Sequence, residues 1–148
     1  MRQITLLVVE DSRFLRIAIE RTFTKAGYSV LSAEDGQEAL RIAREVLPEL
    51  ILLDMMLPKI AGPNVLELLK EDATTQHIPV VVLSGLSQKN DAKLLAAGAA
   101  AYFEKSESLL DKNGGLLQIV ERLVGKPLAL TPSSLPQPLT VPYNRLPQ

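Results

Sequence analysis

Five short apolar runs, each leading into a polar residue able to do chemistry, constrain this chain more than any other feature. Ile4–Val9, Ser29–Ala33, Leu50–Leu53, Val80–Leu83 and Ala100–Phe103 run respectively into Glu10-Asp11, Glu34-Asp35, Asp54, Ser84 and Glu104-Lys105. Three of them, Leu6-Leu7-Val8-Val9, Leu50-Ile51-Leu52-Leu53 and Val80-Val81-Val82-Leu83, have no polar interruption. Such runs suit strands buried on both faces, as in a parallel sheet covered by helices. Tyr28-Ser29-Val30-Leu31-Ser32 alternates instead, as an edge strand can.

The segments between the runs carry helical periodicity. After Ser12, the residues Leu15, Ala18, Ile19, Thr22, Phe23 and Ala26 recur three or four apart until Gly27 stops the pattern. Asp35-Gly36-Gln37-Glu38 reads as an N-cap with an acid three positions on, and Ala39, Leu40, Ala43 and Leu47 follow before Pro48. Gly62-Pro63 opens a third helix whose buried face is Val65, Leu66, Leu68 and Leu69. A fourth is expected from about Gln88 to Ala97, closed by Gly98. A fifth begins after Asn113-Gly114-Gly115 and ends near Gly125.

Five strand–helix repeats with short connections and right-handed crossovers predict an α/β fold. The simplest topology is the flavodoxin-like doubly wound (βα)5 sandwich with parallel sheet order 2-1-3-4-5. Its switch point lies between the first and third strands, where Asp11 and Asp54 are expected to face each other. The 148 residues suffice for one such domain, placed at 1–125. From 126 to 148 six of the ten prolines crowd together and only Lys126 and Arg145 are charged, so this stretch reads as a flexible tail or linker.

Glu10, Asp11 and Asp54 converging on one crevice repel one another unless a cation compensates. All-oxygen ligands with no His or Cys nearby suit magnesium or manganese. Ser84 and Lys105, at the ends of the fourth and fifth strands, supply the hydroxyl donor and the cation that phosphate chemistry also requires. Singly, each residue has a plain structural role: Asp11 as a helix cap, Asp54 in a turn, Lys105 as a surface charge. Their weight comes from the set. His77, the only histidine, reads as a solvated loop side chain, and Glu34-Asp35 as helix-cap chemistry.

The chain resembles the receiver domains of two-component response regulators (CheY-like). The matching stretches are Val8-Val9-Glu10-Asp11-Ser12, Ala33-Glu34-Asp35-Gly36-Gln37-Glu38-Ala39-Leu40, Leu53-Asp54-Met55-Met56-Leu57-Pro58 with Gly62, Val82-Leu83-Ser84-Gly85, and Ala97-Gly98-Ala99 through Tyr102 to Lys105. They cover residues 4 to about 124 in family order. The resemblance implies that Asp54 accepts a phosphoryl group from a phosphohistidine on a histidine kinase or phosphotransfer protein. It further implies a magnesium ion held by Asp11, Asp54 and the Met56 carbonyl, with Glu10 acting through a metal-bound water. By the same resemblance, Lys105 and Ser84 would contact phosphoryl oxygens, Ser84 and Tyr102 would form the switch pair, and apolar Met56 and Leu86 would slow loss of the phosphoryl group. Two departures stand out: Ser106 follows Lys105 where many receivers carry proline, and Ala100-Ala101 replace residues that support charged dimerisation in one family branch.

Rival readings each lack a feature. A pseudo-receiver adaptor would not need the intact acids, Ser84 and Lys105. An aspartate-nucleophile phosphohydrolase would want a second acid two positions after Asp54, where Met56 stands, and no Gly-x-Gly-x-x-Gly supports dinucleotide binding. A net charge of −1 with scattered basic residues argues against direct nucleic-acid binding. The absence of cysteine, of a signal-peptide cleavage site after Met1-Arg2-Gln3 and of any run long enough to insert in a membrane leads to the expectation of a cytoplasmic protein. Nothing after Gly125 could form an output domain, so the expectation is a stand-alone receiver or a fragment ending in a linker.

Overall fold

The computed structural model describes residues 3–85, 91–106, 108–111 and 115–127. Strands β1 (Thr5–Val9), β2 (Ser29–Ala33), β3 (Leu50–Asp54), β4 (Val80–Ser84) and β5 (Ala101–Glu104) alternate with helices α1 (Arg13–Lys25), α2 (Gly36–Val46), α3 (Gly62–Glu71), α4 (Asp91–Ala96) and α5 (Leu116–Val124). The strands form one sheet in the order β2-β1-β3-β4-β5, and every neighbouring pair is parallel. This is the doubly wound order expected from the sequence. The uninterrupted runs of β3 and β4 are buried throughout, whereas β2 and β5, at the two edges, are mostly half-buried.

Because successive side chains in a strand point to opposite faces, the runs divide between two cores. Leu7, Val9, Ile51, Leu53, Val80 and Val82 pack with α2, α3 and α4. Leu6, Val8, Leu50, Leu52, Val81 and Leu83 pack with Ile19 and Phe23 of α1 and Leu116 and Val120 of α5. Each fully buried aliphatic side chain contributes about 1.5–3 kcal/mol, so a polar residue inside a run would be costly and the polar residues collect at the strand ends.

Asp35 caps α2 as the sequence proposed, while α1 is capped by Ser12 and not by Asp11. Ser12 Oγ accepts the Leu15 N–H at 3.4 Å and Asp35 Oδ1 accepts the Glu38 N–H at 2.8 Å. Two apolar positions differ from expectation. Leu47 does not extend α2: it caps the helix in the left-handed region (φ 54°) with 47% of its surface exposed, because the following proline disfavours helical backbone at its predecessor. Leu68 is 36% exposed, since Val65, Leu66 and Leu69 already define the buried face of α3 and Leu68 falls on its flank.

Gly115, with φ 84°, precedes α5 at the expected place. Between β5 and α5 a turn closed by the Leu109 N–H to Ser106 O bond tucks Leu109 into the second core. All peptide bonds among the described residues are trans, Lys105–Ser106 included. The expected start of the fourth helix at 88–90, Asn113-Gly114, and the proline-rich stretch from 128 onward lie outside the described residues.

Candidate functional site

Parallel pairing brings the polar strand ends to one edge. Val9 is level with Leu53, Asp54 with Leu83 and Ser84 with Glu104. Glu10 and Asp11 after β1, Asp54 at the end of β3, Ser84 at the end of β4 and Lys105 after β5 therefore gather at the edge that holds the crevice between β1 and β3, from which α1 and α3 leave to opposite faces. Glu10, Asp11 and Asp54 each offer a carboxylate oxygen there, all within 4.8 Å of one another. Glu10 and Asp54 are buried, and Asp11 is exposed.

Lys105 completes the cluster. Its Nζ lies 2.9 Å from Glu10 Oε1 and 2.9 Å from Asp54 Oδ1. Three carboxylates face one ammonium, and two unit charges about 4 Å apart interact by roughly 4 kcal/mol at an effective dielectric of 20. The imbalance registers on Glu10, whose pKa is pushed up to about 7: burial disfavours its charge most and the Asp54 charge adds to this, against the opposing Lys105 and Ser12 contacts. Burial works against the Lys105 ammonium too, but the attraction of Asp54 and Glu10 outweighs it and raises its pKa.

The backbone fixes these groups tightly. Glu10 Oε2 accepts the Ser12 N–H at 3.1 Å, and Arg16 Nη1 donates to the Glu10 carbonyl at 3.0 Å. Asp54 Oδ1 accepts the Met56 N–H at 3.1 Å. The Lys105 N–H donates to Ser84 O at 2.7 Å, which ties the ends of β4 and β5 together, while the buried Ser84 hydroxyl donates to Gly85 O at 3.3 Å. Glu10 Oε1 is buried with the Lys105 ammonium, 2.9 Å away, as its partner, whereas Asp54 Oδ2 is buried and accepts no hydrogen bond from any described residue. A buried acceptor left so costs about 1–3 kcal/mol. Excess negative charge and the donor-free Asp54 Oδ2 are what an oxygen-seeking divalent cation would satisfy, so these residues fit the magnesium ion expected from the sequence.

The sequence candidates are therefore found together, with distinctions. Met56 places its N–H on Asp54, while its side chain is 64% exposed. Tyr102 is half-buried on the α2–α3–α4 side of the sheet, in register with Val82. His77 is exposed, Asp35 caps α2, and neither Glu34 nor Asp35 belongs to the acidic group. Leu86 lies outside the described residues. Arg16 was not legible in advance: a lone arginine in the first turns of a helix carries no sign that it will hold the Glu10 carbonyl. Phe14, 86% exposed at the start of α1 beside the acidic edge, was also passed over.

Comparison with known proteins agrees with this geometry. The family model for the response regulator receiver domain matches residues 6–112. The polar-differentiation response regulator DivK of Brucella anthropi is 33% identical over 106 residues, 71% of this chain and 86% of that protein. Histidine kinase P4 of Formosa agariphila is 40% identical over 104 residues, 68% of this chain, but the match spans only 7% of that protein. Among solved structures, the receiver domain of sensor histidine kinase PA1611 from Pseudomonas aeruginosa, with magnesium coordinated in its active site cleft, superposes with a TM-score of 0.73 at 26% identity, covering 84% of this chain and 100% of that one. Chemotaxis response regulator CheY4 of Vibrio cholerae gives 0.71 at 25% identity, covering 82% and 99%.

Proposed function

The chain belongs to the response regulator receiver family, and from that premise we propose that Asp54 is its phosphoacceptor, taking a phosphoryl group from a phosphohistidine on a histidine kinase or phosphotransfer protein. The family consists of signalling phosphoacceptor domains that act in phosphorelays. The observation that carries the assignment to Asp54 is its place at the centre of the cluster: it shares the acidic group with Glu10 and Asp11 and has Lys105 Nζ 2.9 Å from its Oδ1.

In the reaction an Asp54 oxygen forms a bond to phosphorus while the bond from phosphorus to the histidine nitrogen breaks and its electron pair returns to the imidazole. Lys105 neutralises charge on the transferring group and Ser84 donates a hydrogen bond to it, so positioning and electrostatics do most of the work. Asp11, Asp54 and the Met56 carbonyl would hold magnesium, with Glu10 acting through one of its waters. The ion supplies positive charge that offsets the acids and the phosphoryl oxygens. Exposed Phe14 and Met56 give the phosphodonor protein apolar surface at the mouth of the site. Once Asp54 is phosphorylated, Ser84 and Tyr102 carry the change to the β4–β5 surface, and apolar Met56 and Leu86 slow hydrolysis by failing to orient water.

We assign the receiver to residues 1–125 and a tether to 126–148 on composition, and a cytoplasmic location because kinase donors of this class work there. Among the described residues no helix is long and apolar enough to cross a membrane. The test is intact-mass analysis after incubation with phosphoramidate, with and without magnesium. One phosphoryl group gained only with magnesium, and absent from Asp54→Ala, is expected. Equal gain in Asp54→Ala overturns the assignment.

A further inference from the structure

We propose that Gly36, the first residue of α2, is a positioning residue for the phosphoacceptor site: with Asp35 it clamps the loop at 55–61 and, through that loop, the Asp54–Met56 segment. The inference rests on the reading of Asp54 given above.

The loop leaves β3 directly at Asp54, and it is pinned at two points. At its far end the Gly62 N–H donates to Met55 O at 3.2 Å, and Gly62 packs so closely that a Cβ there would strike Asp54 O and come within 2.5 Å of Met55 Cα. At its middle the partner is α2, from another part of the chain. The Gly36 N–H reaches Pro58 O at 3.4 Å, and Lys59 Nζ pairs with Asp35 Oδ2 at 3.3 Å. Lys59 sits at φ 68°, a conformation a non-glycine residue adopts only when its surroundings dictate it.

Space, not backbone freedom, is what Gly36 supplies. A Cβ there would collide with the Ile60 carbonyl oxygen and lie 2.8 Å from both Ile60 Cβ and Val65 Cγ2. A backbone carbonyl cannot swing aside as the tip of a side chain can, so any side chain at 36 must displace the loop as a body. That loop carries the Met56 N–H that holds Asp54 Oδ1 at 3.1 Å and the Met56 carbonyl assigned to the metal. Groups behind metal ligands typically change affinity 10–100-fold when altered. Gly36 stands one step further out, touching Pro58 and Ile60 of the loop and not a ligand, so its effect is expected at the low end of that range.

The experiment uses the full chain, 15N-labelled, as wild type, Gly36→Ala, Asp35→Ser and Gly125→Ala. Magnesium is titrated and the Asp54 and Met56 amide signals are followed, with the same spectra recorded in EDTA and melting temperatures measured in parallel. Gly36→Ala should shift the amides of 55–61 even in EDTA and weaken magnesium binding about tenfold. Asp35→Ser keeps a helix-capping oxygen but removes the partner of Lys59, and should weaken magnesium binding about twofold, as for an exposed ion pair. Gly125→Ala, strained at φ 89° with nothing within 4 Å of its Cβ, should lower the melting temperature and leave magnesium binding unchanged. A Gly36→Ala protein that is merely less stable, with unmoved loop amides and wild-type magnesium affinity, overturns the clamp. Should Gly36→Ala not fold, Asp35→Ser decides, and unchanged affinity and unmoved Lys59 and Ile60 amides overturn it. Wild-type protein that neither binds magnesium nor gains a phosphoryl group overturns the reading of Asp54, and the clamp with it.

Discussion

The two ends of the sheet are built on opposite terms. At the carboxyl end of the strands, Glu10 and Asp54 are buried and share a single lysine, and Asp54 Oδ2 lacks a hydrogen bond from any described residue. At the amino end the polar groups are matched: the Tyr28 hydroxyl donates to Gly125 O at 3.0 Å, the Ser29 N–H to Ile4 O at 2.9 Å and the Thr5 N–H to Glu49 Oε1 at 2.9 Å. Phe23 and Tyr28 pack ring against ring there, with centroids 5.8 Å apart. One end is left electrostatically unsatisfied, as the cation and phosphoryl group proposed for it would require, and the other holds the molecule together.

The contrast is broken most sharply by Asp54→Asn. It should abolish the phosphoryl adduct in intact-mass analysis while raising the stability of the magnesium-free protein by ~1 kcal/mol, because one of three mutually repelling charges is gone. A loss of stability in urea titrations would show that the acidic end is not strained.

Next comes pH. Glu10 has a folded pKa of about 7, raised above its ordinary 4.5. Its contribution to stability is thus present in full below about pH 4.5 and is lost as pH rises through about 7. Urea midpoints in EDTA should fall over that interval, the fall should flatten in Glu10→Gln, and magnesium should restore stability above pH 7. A flat profile in the wild type would remove the electrostatic account.

The satisfied end is tested by Tyr28→Phe, which removes the partly buried hydrogen bond to the Gly125 carbonyl. It should cost about 0.5–1.5 kcal/mol and leave magnesium affinity untouched. Any weakening of magnesium binding by this variant would mean the two ends are coupled. The smallest effect expected is from Met56→Asn. Stability and metal binding should hold, while the phosphoryl group is lost a few-fold faster in a mass-spectrometric decay series, a side-chain amide being able to orient water.

Which parts of this contrast could be read in advance follows from the physics of each. Burial on both faces forces uninterrupted apolar runs, so β1, β3 and β4 announce themselves, and the first polar residue after each marks the active edge. Glu10, Asp11, Asp54, Ser84 and Lys105 were legible for that reason. Leu47 was misplaced because helical spacing extends through it, whereas the proline after it rules the backbone. The Lys105 ion pairs to both Glu10 and Asp54, and the Gly36–Ile60 contact, join residues distant in sequence. Their existence depends on packing distances that no local pattern encodes. The Tyr28–Gly125 bond is of the same kind, since an aromatic at the start of an edge strand gives no hint that its hydroxyl will find the last turn of α5.

That bond has a practical consequence. By holding the Gly125 carbonyl on Tyr28, the residue before β2, it places the end of α5 at the amino edge of the sheet, one strand length, roughly 17 Å, from the carboxyl edge where Asp54 lies. A fluorophore, affinity handle or sensor surface attached at exposed Lys126 would hold the protein with its acidic edge turned outward, so that binding and phosphoryl-transfer assays can be run on immobilised molecules without obstructing access to the site.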